Sequence, residues 1–484
     1  MTGPGLDGTG AAGVPPELAR HGRTLTGMAD IGTPPRSGSS WPDDRLPAPA
    51  RVSMIGPGDP DGSMPRGAAG LAARLARFRA LDQAPSPACD GVGSRTGAAG
   101  RGDLARNLAE AVGGAVDRTT AGRVVRVGAT VPLAAPLEQL GVLPYPVDPE
   151  RPLVCLDTET TGLGTAAGTL VFLVGLGRWD GQRLEVEQLL LPDHPDEPAF
   201  LASLRAAIPP DAWLVTYNGR GFDWPLLVTR FRLHGAPPPA HAGHLDLLPV
   251  ARQLWRHRLG DARLATVERG VVGVERVDDL PGALIPGRYL DFLRTGRPDP
   301  LRAVVEHNRQ DVISLGLLLA HLALRMAQPS ARSGEHPGDV AALGRAYARR
   351  RRFDEAAECC TTAVAAAEDP VLRERLAAER ARVLRMAGRH VESAAAWREI
   401  ASSGGPLAAV AWVQLAKHLE HVGHDPAAAL EAADRALALV ERQRLLGRDL
   451  PRLERDLARR RLRLRRRVAR AAAGARAAGG ATAA

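Results

Sequence analysis

The chain reads as a mixed α/β domain followed by an all-α array of helical repeats, with a disordered region at the N-terminus. Three observations support this division. Residues 1–66 are a mixture of Gly, Pro, Ser and Asp without periodicity, and such a segment buries too little apolar surface to offset the entropy of ordering. Between Val124 and Asp311, short apolar runs alternate with turn residues and amphipathic segments, as expected of interleaved strands and helices. Beyond Gly338 the composition shifts to Ala, Arg, Leu and Glu at helical spacing, in segments that resemble one another at a period of somewhat over about thirty residues.

Each element follows from local signals. Leu71, Leu75 and Phe78 recur at helical spacing and predict a short helix near 70–80, before a second loose stretch to about residue 102. Met64, just ahead of that helix, is a second candidate start. Residues 152–156 predict a compact strand, and 170–179 and 184–191 two more, joined at Asp180-Gly181 by a hairpin turn. A helix over 197–207 ends at Pro209-Pro210, and a strand over 213–217 follows. Another helix starts near Pro225. A long one covers 300–324, with Val304, Val305, Val312, Leu315 and Leu319 as its apolar stripe. The expected divisions are 1–116 as the largely disordered region, 117–328 as the α/β domain, 336–440 as the repeats and 441–484 as a basic helical tail.

The bulk numbers bound the function classes. A chain of 484 residues exceeds a single small core. Its net charge of +9 suits a nucleic-acid partner, although nearly all of the positive charge is Arg, with Lys417 the single lysine, as a GC-rich coding bias would produce. Cys89, Cys155, Cys359 and Cys360 have neither the density of a disulfide scaffold nor the spacing of a zinc site. No apolar run has the length of a membrane span, and the start lacks a signal-peptide pattern. A cytoplasmic protein without membrane contact is expected.

The chemistry concentrates in three segments. In LVCLDTETTGLG, from Leu153, Asp157 and Glu159 stand two residues apart at a strand end and so share a face. Paired carboxylates repel unless neutralised, and a divalent cation does this while also binding phosphate oxygens; a surface turn with capping threonines is the plainer reading. In WLVTYNGRGFDWPLL, Asp223 follows a strand end, where it can bind metal, cap the next helix, or do both. In LRAVVEHNRQDVISLGLLLAHL, His307 and Asp311 lie four apart on one helical face; they serve either a polar site or a surface hydrogen bond to Asp311 or Glu306. Asp246 reads as a turn or cap residue.

Together the three segments resemble the DEDD superfamily of proofreading-type exonucleases. More closely, 122–324 is similar to the YprB-type ribonuclease-H-like domain family. The blocks that carry this are LDTETTGL at Leu156, YNGRGFDWPLL at Tyr217, HLDLLPVARQLWRHRL at His244, VERGVVGVERVDDLPGALIPGRYLDFL at Val267 and EHNRQDVISL at Glu306. The resemblance implies a ribonuclease-H-like mixed sheet flanked by helices. It also implies that Asp157, Glu159, Asp223 and Asp311 hold one or two Mg2+ or Mn2+ ions, and that His307 orients or deprotonates the attacking water. The implied activity is phosphodiester hydrolysis, as a 3′–5′ exonuclease on single-stranded or frayed ends of DNA or RNA. One departure stands out: the histidine subtype places its His five residues before the last Asp, whereas His307 precedes Asp311 by four, the tyrosine subtype's interval.

In the C-terminal part, Leu343, Gly344, Tyr347, Ala356 and Ala363 occupy the small and large positions of a tetratricopeptide helix pair, with two further units after it. Such repeats stack into a superhelix with a groove for a protein partner; ordinary helical packing accounts for the same pattern. After Pro451, LERDLARRRLRLRRRVARAA predicts an Arg-dense helix, either a solvated cap or a surface that follows a phosphate backbone. The alternative to the enzyme is a noncatalytic nucleic-acid-binding adaptor that recruits a partner through the repeats.

Overall fold

A computed structural model describes residues 98–162, 168–180, 182–277 and 279–480. The expected N-terminal disorder, the helix near 70–80, Met64 and Cys89 lie outside the described residues, as does Gly181 of the hairpin.

The fold opens with helix α1 (Ala98–Val112) and the antiparallel strands β1 (Ala115–Thr119) and β2 (Gly122–Pro132). These lie upstream of the first strand read from the sequence. The loose stretch to residue 102 and the boundary at 117 therefore stand corrected: α1 already begins at Ala98, and 117 falls inside β1. The reason is local weakness of the signal. Residues of β1 are half-buried or exposed, so their alternation is faint, while α1 is held by Leu108 and Ala109 packed into a core made by distant strands.

Three strands follow as expected: β3 (Leu153–Thr160), β4 (Val171–Asp180) and β5 (Arg183–Leu190). Then come α2 (Glu197–Ala207), β6 (Trp213–Thr216), α3 (Asp223–Leu233), β7 (Gly243–Asp246), α4 (Leu247–Leu254), α5 (Ile285–Thr295) and the long α6 (Leu301–His321). The seven strands form one mixed sheet in the order β1-β2-β5-β4-β3-β6-β7. Every pair from β1 to β3 is antiparallel, whereas β3-β6 and β6-β7 are parallel. This is the ribonuclease-H-like mixed sheet the sequence predicts, and β3 sits where the antiparallel and parallel parts meet.

Two cores cover the sheet. One joins Val154, Leu156 and Leu214 to α2, α3, α5 and the first turns of α6. The other joins Cys155, Val215 and Leu184 to α4 and the later turns of α6. Helix α6 approaches β4 so closely that a Cβ on Gly175 would meet the Asn308 side chain at 2.4 Å, and one on Gly177 would meet Val312 at 2.7 Å. Glycines in β4 thus set the depth at which α6 carries its polar residues.

The C-terminal part is helical throughout: α7 (Pro337–Arg349), α8 (Phe353–Ala366), α9 (Pro370–Met386), α10 (His390–Ser403), α11 (Ala408–His421), α12 (Pro426–Leu445) and α13 (Pro451–Gly480). Each helix packs on the next. The second core does not stop at the α/β domain but continues through Val340, Leu343 and Tyr347 of α7 to Leu376 and Leu384 of α9. The remaining helices share a separate core that includes Trp397, Leu415 and Leu457. Cys155, Cys359 and Cys360 are buried free thiols. Among the described residues, no helix is long and apolar enough to cross a membrane.

Candidate functional site

Strand β3 presents Asp157 and Glu159 at its C-terminal end. Asp223 is the first residue of α3 rather than its cap, and its carboxylate accepts a hydrogen bond from Thr158 Oγ1, between the two acids of β3. From α6, Asp311 and His307 face the same place: His307 Nε2 lies 3.8 Å from Asp311 Oδ2 and 4.0 Å from Glu159 Oε1. The structure therefore brings all five sequence-predicted residues into one pocket.

Burial and mutual repulsion dominate the electrostatics. Desolvation first, then the charges of Asp311, Glu159 and Asp223, holds the Asp157 carboxyl well above the usual range. Burial, followed by Asp311 and Asp223, pushes Glu159 up to about 9. Asp223 is raised to about 6, chiefly by burial, with the Thr158 hydrogen bond pulling the other way. Asp311 is raised by burial despite the opposing charges of Arg276 and His307. A cation bound among these acids would relieve their mutual repulsion. A purely oxygen donor set suits a hard divalent ion such as Mg2+ or Mn2+.

Several supporting residues were not singled out in the sequence. Asn308, fully buried, donates from Nδ2 to Asp157 Oδ2 at 2.8 Å, and its Oδ1 accepts from Gln188 Nε2 of β5 at 2.8 Å. A signal for it existed: Asn308 sits midway between Val304 and Val312 in the apolar stripe of α6, four residues from each. A polar side chain at a stripe position needs a buried partner. Arg276 bonds Asp311, the buried Glu268 and, at 3.1 Å, Asp279. Asp279 Oδ1 in turn lies 2.6 Å from His307 Nδ1. With the proton on Nδ1 facing Asp279, the Nε2 lone pair points at the carboxylates. Arg276 and Asp279 fall within the block that begins at Val267, but in a segment without periodicity, so nothing local marked them as neighbours of the acids.

Asp246, kept out of the site on sequence grounds, caps α4 through Leu248 N at 3.0 Å and organises the preceding turn through Asn218 N at 2.8 Å. That turn holds Asn218 at φ 69°, a left-handed conformation Asn tolerates. Among the described residues, one trio of His or carboxylate groups brings its ligand atoms within 4.8 Å of one another, and it lies elsewhere: His257, His336 and Asp339. Its buried Asp339 is already held by Arg258 at 2.9 Å, so the trio reads as a polar tie between the α/β domain and α7. The four acids of the pocket are spread more widely.

Residues 154–323 match the model of the RNase_H superfamily. A protein of Bacillus subtilis strain 168, described as the uncharacterized protein YprB, is 33% identical over 289 residues, which are 59% of this chain and 69% of that protein. The chain belongs to the YprB family of the RNase_H superfamily. Membership in this superfamily points to a hydrolase acting on nucleic acid, and its fold typically uses divalent metals. In this YprB-family chain the matched span runs from the first residues of β3 to just beyond α6, so it contains every acid of the pocket.

Proposed function

We propose that this chain is a divalent-metal-dependent nuclease that hydrolyses phosphodiester bonds, acting as a 3′–5′ exonuclease on single-stranded or frayed ends. The observation that carries this reading is the meeting of four carboxylates from β3, α3 and α6 in one buried pocket where burial and mutual repulsion raise their pKa values. Asp157, Glu159, Asp223 and Asp311 would hold Mg2+ or Mn2+, as two ions sharing the acids in the manner the family resemblance implies. Bound there, the ions would supply Lewis acidity and neutralise charge on the phosphate oxygens.

The remaining work falls to the chain. His307 Nε2, 4.0 Å from Glu159, is placed to take a proton from the attacking water, with Asp279 fixing the ring through Nδ1. The Gln188–Asn308 pair holds Asp157 in one orientation, as outer-shell partners do for ligating carboxylates. The four-residue interval between His307 and Asp311 keeps both groups on one side of α6, so it is compatible with this role. The C-terminal helices, read as tetratricopeptide-like repeats, would offer a surface to a protein partner.

The test is release of nucleotides from end-labelled DNA and RNA, with and without chelator, by the wild type, Asp157→Asn and Asp311→Asn. Chelator-sensitive release lost in both variants is expected. Oligonucleotide binding without metal-stimulated hydrolysis on a broad substrate panel would favour the noncatalytic adaptor instead.

A further inference from the structure

Helix α13 carries eight arginines and no acid between Arg459 and Arg470. Its inner side is anchored: Leu457 and Leu464 are buried in the C-terminal core. Glu420 of α11, almost fully buried, bonds Arg460, Arg463 at 2.9 Å and Arg467 at 3.3 Å, while Arg461 pairs with Asp434 of α12. One carboxylate thus serves three guanidinium groups. Arg459, Arg465, Arg466 and Arg470 are exposed, and no ion pair to another described residue is found for them.

Arg459, Arg463, Arg466 and Arg470 follow one another at i, i+4, i+7 and i+11, so they form a single stripe roughly 16 Å long at 1.5 Å per residue. With Leu462 and Arg467 they line a cleft of about 420 Å³. A second cleft of about 330 Å³, formed with Glu420, His424 and Pro426, shares Arg467 and Arg470 with the first. Like charges one turn apart destabilise a helix by a few tenths of a kcal/mol each, so the stripe is not there for the helix's own stability. The core residues already fix α13, and a mixed-charge surface would solvate it equally well.

We infer that this stripe is a docking surface for the sugar–phosphate backbone of a nucleic-acid strand, separate from the hydrolytic pocket. Guanidinium groups match phosphate oxygens bidentately. The spacing of the stripe, about one helical turn per step, lets successive side chains reach different phosphates along a strand. No aromatic residue lies between Arg459 and Arg470, so this stretch offers no aromatic platform for bases, and binding through the backbone phosphates is expected to be independent of sequence. The proposal rests on the nuclease reading only for the identity of the polyanion.

The test measures binding of labelled single-stranded DNA and RNA by fluorescence anisotropy in chelator, where no hydrolysis occurs, over a salt series. The full-length protein is compared with Arg459→Gln/Arg466→Gln/Arg470→Gln and with the corresponding triple Lys variant; all three positions are exposed and outside the core. Loss of three phosphate contacts should weaken binding by about tenfold or more at moderate salt and lower the salt slope by about 2 for single strands. The Lys variant should retain most of the affinity. A peptide nucleic acid of the same sequence, with no backbone charge, should not bind. Equal affinity of the Gln variant and the wild type, an unchanged salt slope, or no oligonucleotide binding by the wild type each overturns the inference. Because no step of the assay involves cleavage, an inactive pocket with intact α13 binding would count against the nuclease reading alone.

Discussion

Two highly charged regions of this molecule are opposite in sign and opposite in setting. In the pocket, four carboxylates cluster and one of them, Asp311, pairs with the guanidinium of Arg276; on α13, a run of arginines shares one buried carboxylate, Glu420. The pocket lies between a sheet and a long helix, where an unpaired charge is costly. Arg459, Arg465, Arg466 and Arg470 are exposed to water, where surplus charge is tolerated and acts over a Debye length. Surplus in the first setting demands a counter-ion within bonding distance, whereas surplus in the second gives a diffuse, salt-sensitive attraction.

The largest effect expected from breaking this contrast comes from Arg276→Ala. It leaves Glu268, which is fully buried, without its hydrogen-bonded cation, a loss of about 3–5 kcal/mol. Urea denaturation in chelator measures it, and added Mg2+ should recover part of the loss by binding the folded state. A variant as stable as the wild type would overturn this expectation. Next in size, Asn308→Leu removes the donor that orients Asp157. Outer-shell changes of this kind cost about 10–100-fold in metal affinity, and a Mn2+ titration followed by calorimetry reads it directly.

The mirror substitution, Glu420→Gln, should cost less, about 1–3 kcal/mol. Arg463 and Arg467 are half exposed and can return to water, which leaves only Arg460 buried. A cost equal to that of Arg276→Ala would erase the distinction between the two settings. A last effect, read along a different axis, is a slope with pH. Unfolded carboxyls titrate near about 4, while folded Glu159 is raised to about 9. The folded state therefore keeps protons that the unfolded state has released, and stability of the metal-free protein falls as pH rises through that interval. Melting curves at about pH 5 and about pH 8 should show the fall, and Mg2+ should flatten it.

What could be read in advance follows the same division between local and distant causes. Strand β3, the hairpin of β4 and β5 and helices α2, α3 and α6 announce themselves through periodicity, turn residues and prolines close in the chain, and the four acids sit on β3, α3 and α6. Strand β1 does not, because an edge strand with exposed residues carries little alternation. Arg276 and Asp279 lie in a block that carries the resemblance, yet their role was hidden because their partners Asp311 and His307 are some thirty residues away and on another element. Asn308 falls between these cases: its place in an apolar stripe was legible, but its partner Asp157 lies across the fold.

The continuity of packing from the sheet through α7 to α9 has a practical corollary. Cutting the gene at residue 328, the expected end of the α/β domain, would strip the cover from Leu319, Leu322 and Met326 and leave Val142 O without its hydrogen bond from Tyr347. Such a fragment should aggregate on dilution from denaturant, a process light scattering would register at once. A soluble catalytic piece would have to extend at least through α9, so the first helices of the C-terminal array are masonry for the enzyme as much as scaffolding for a guest.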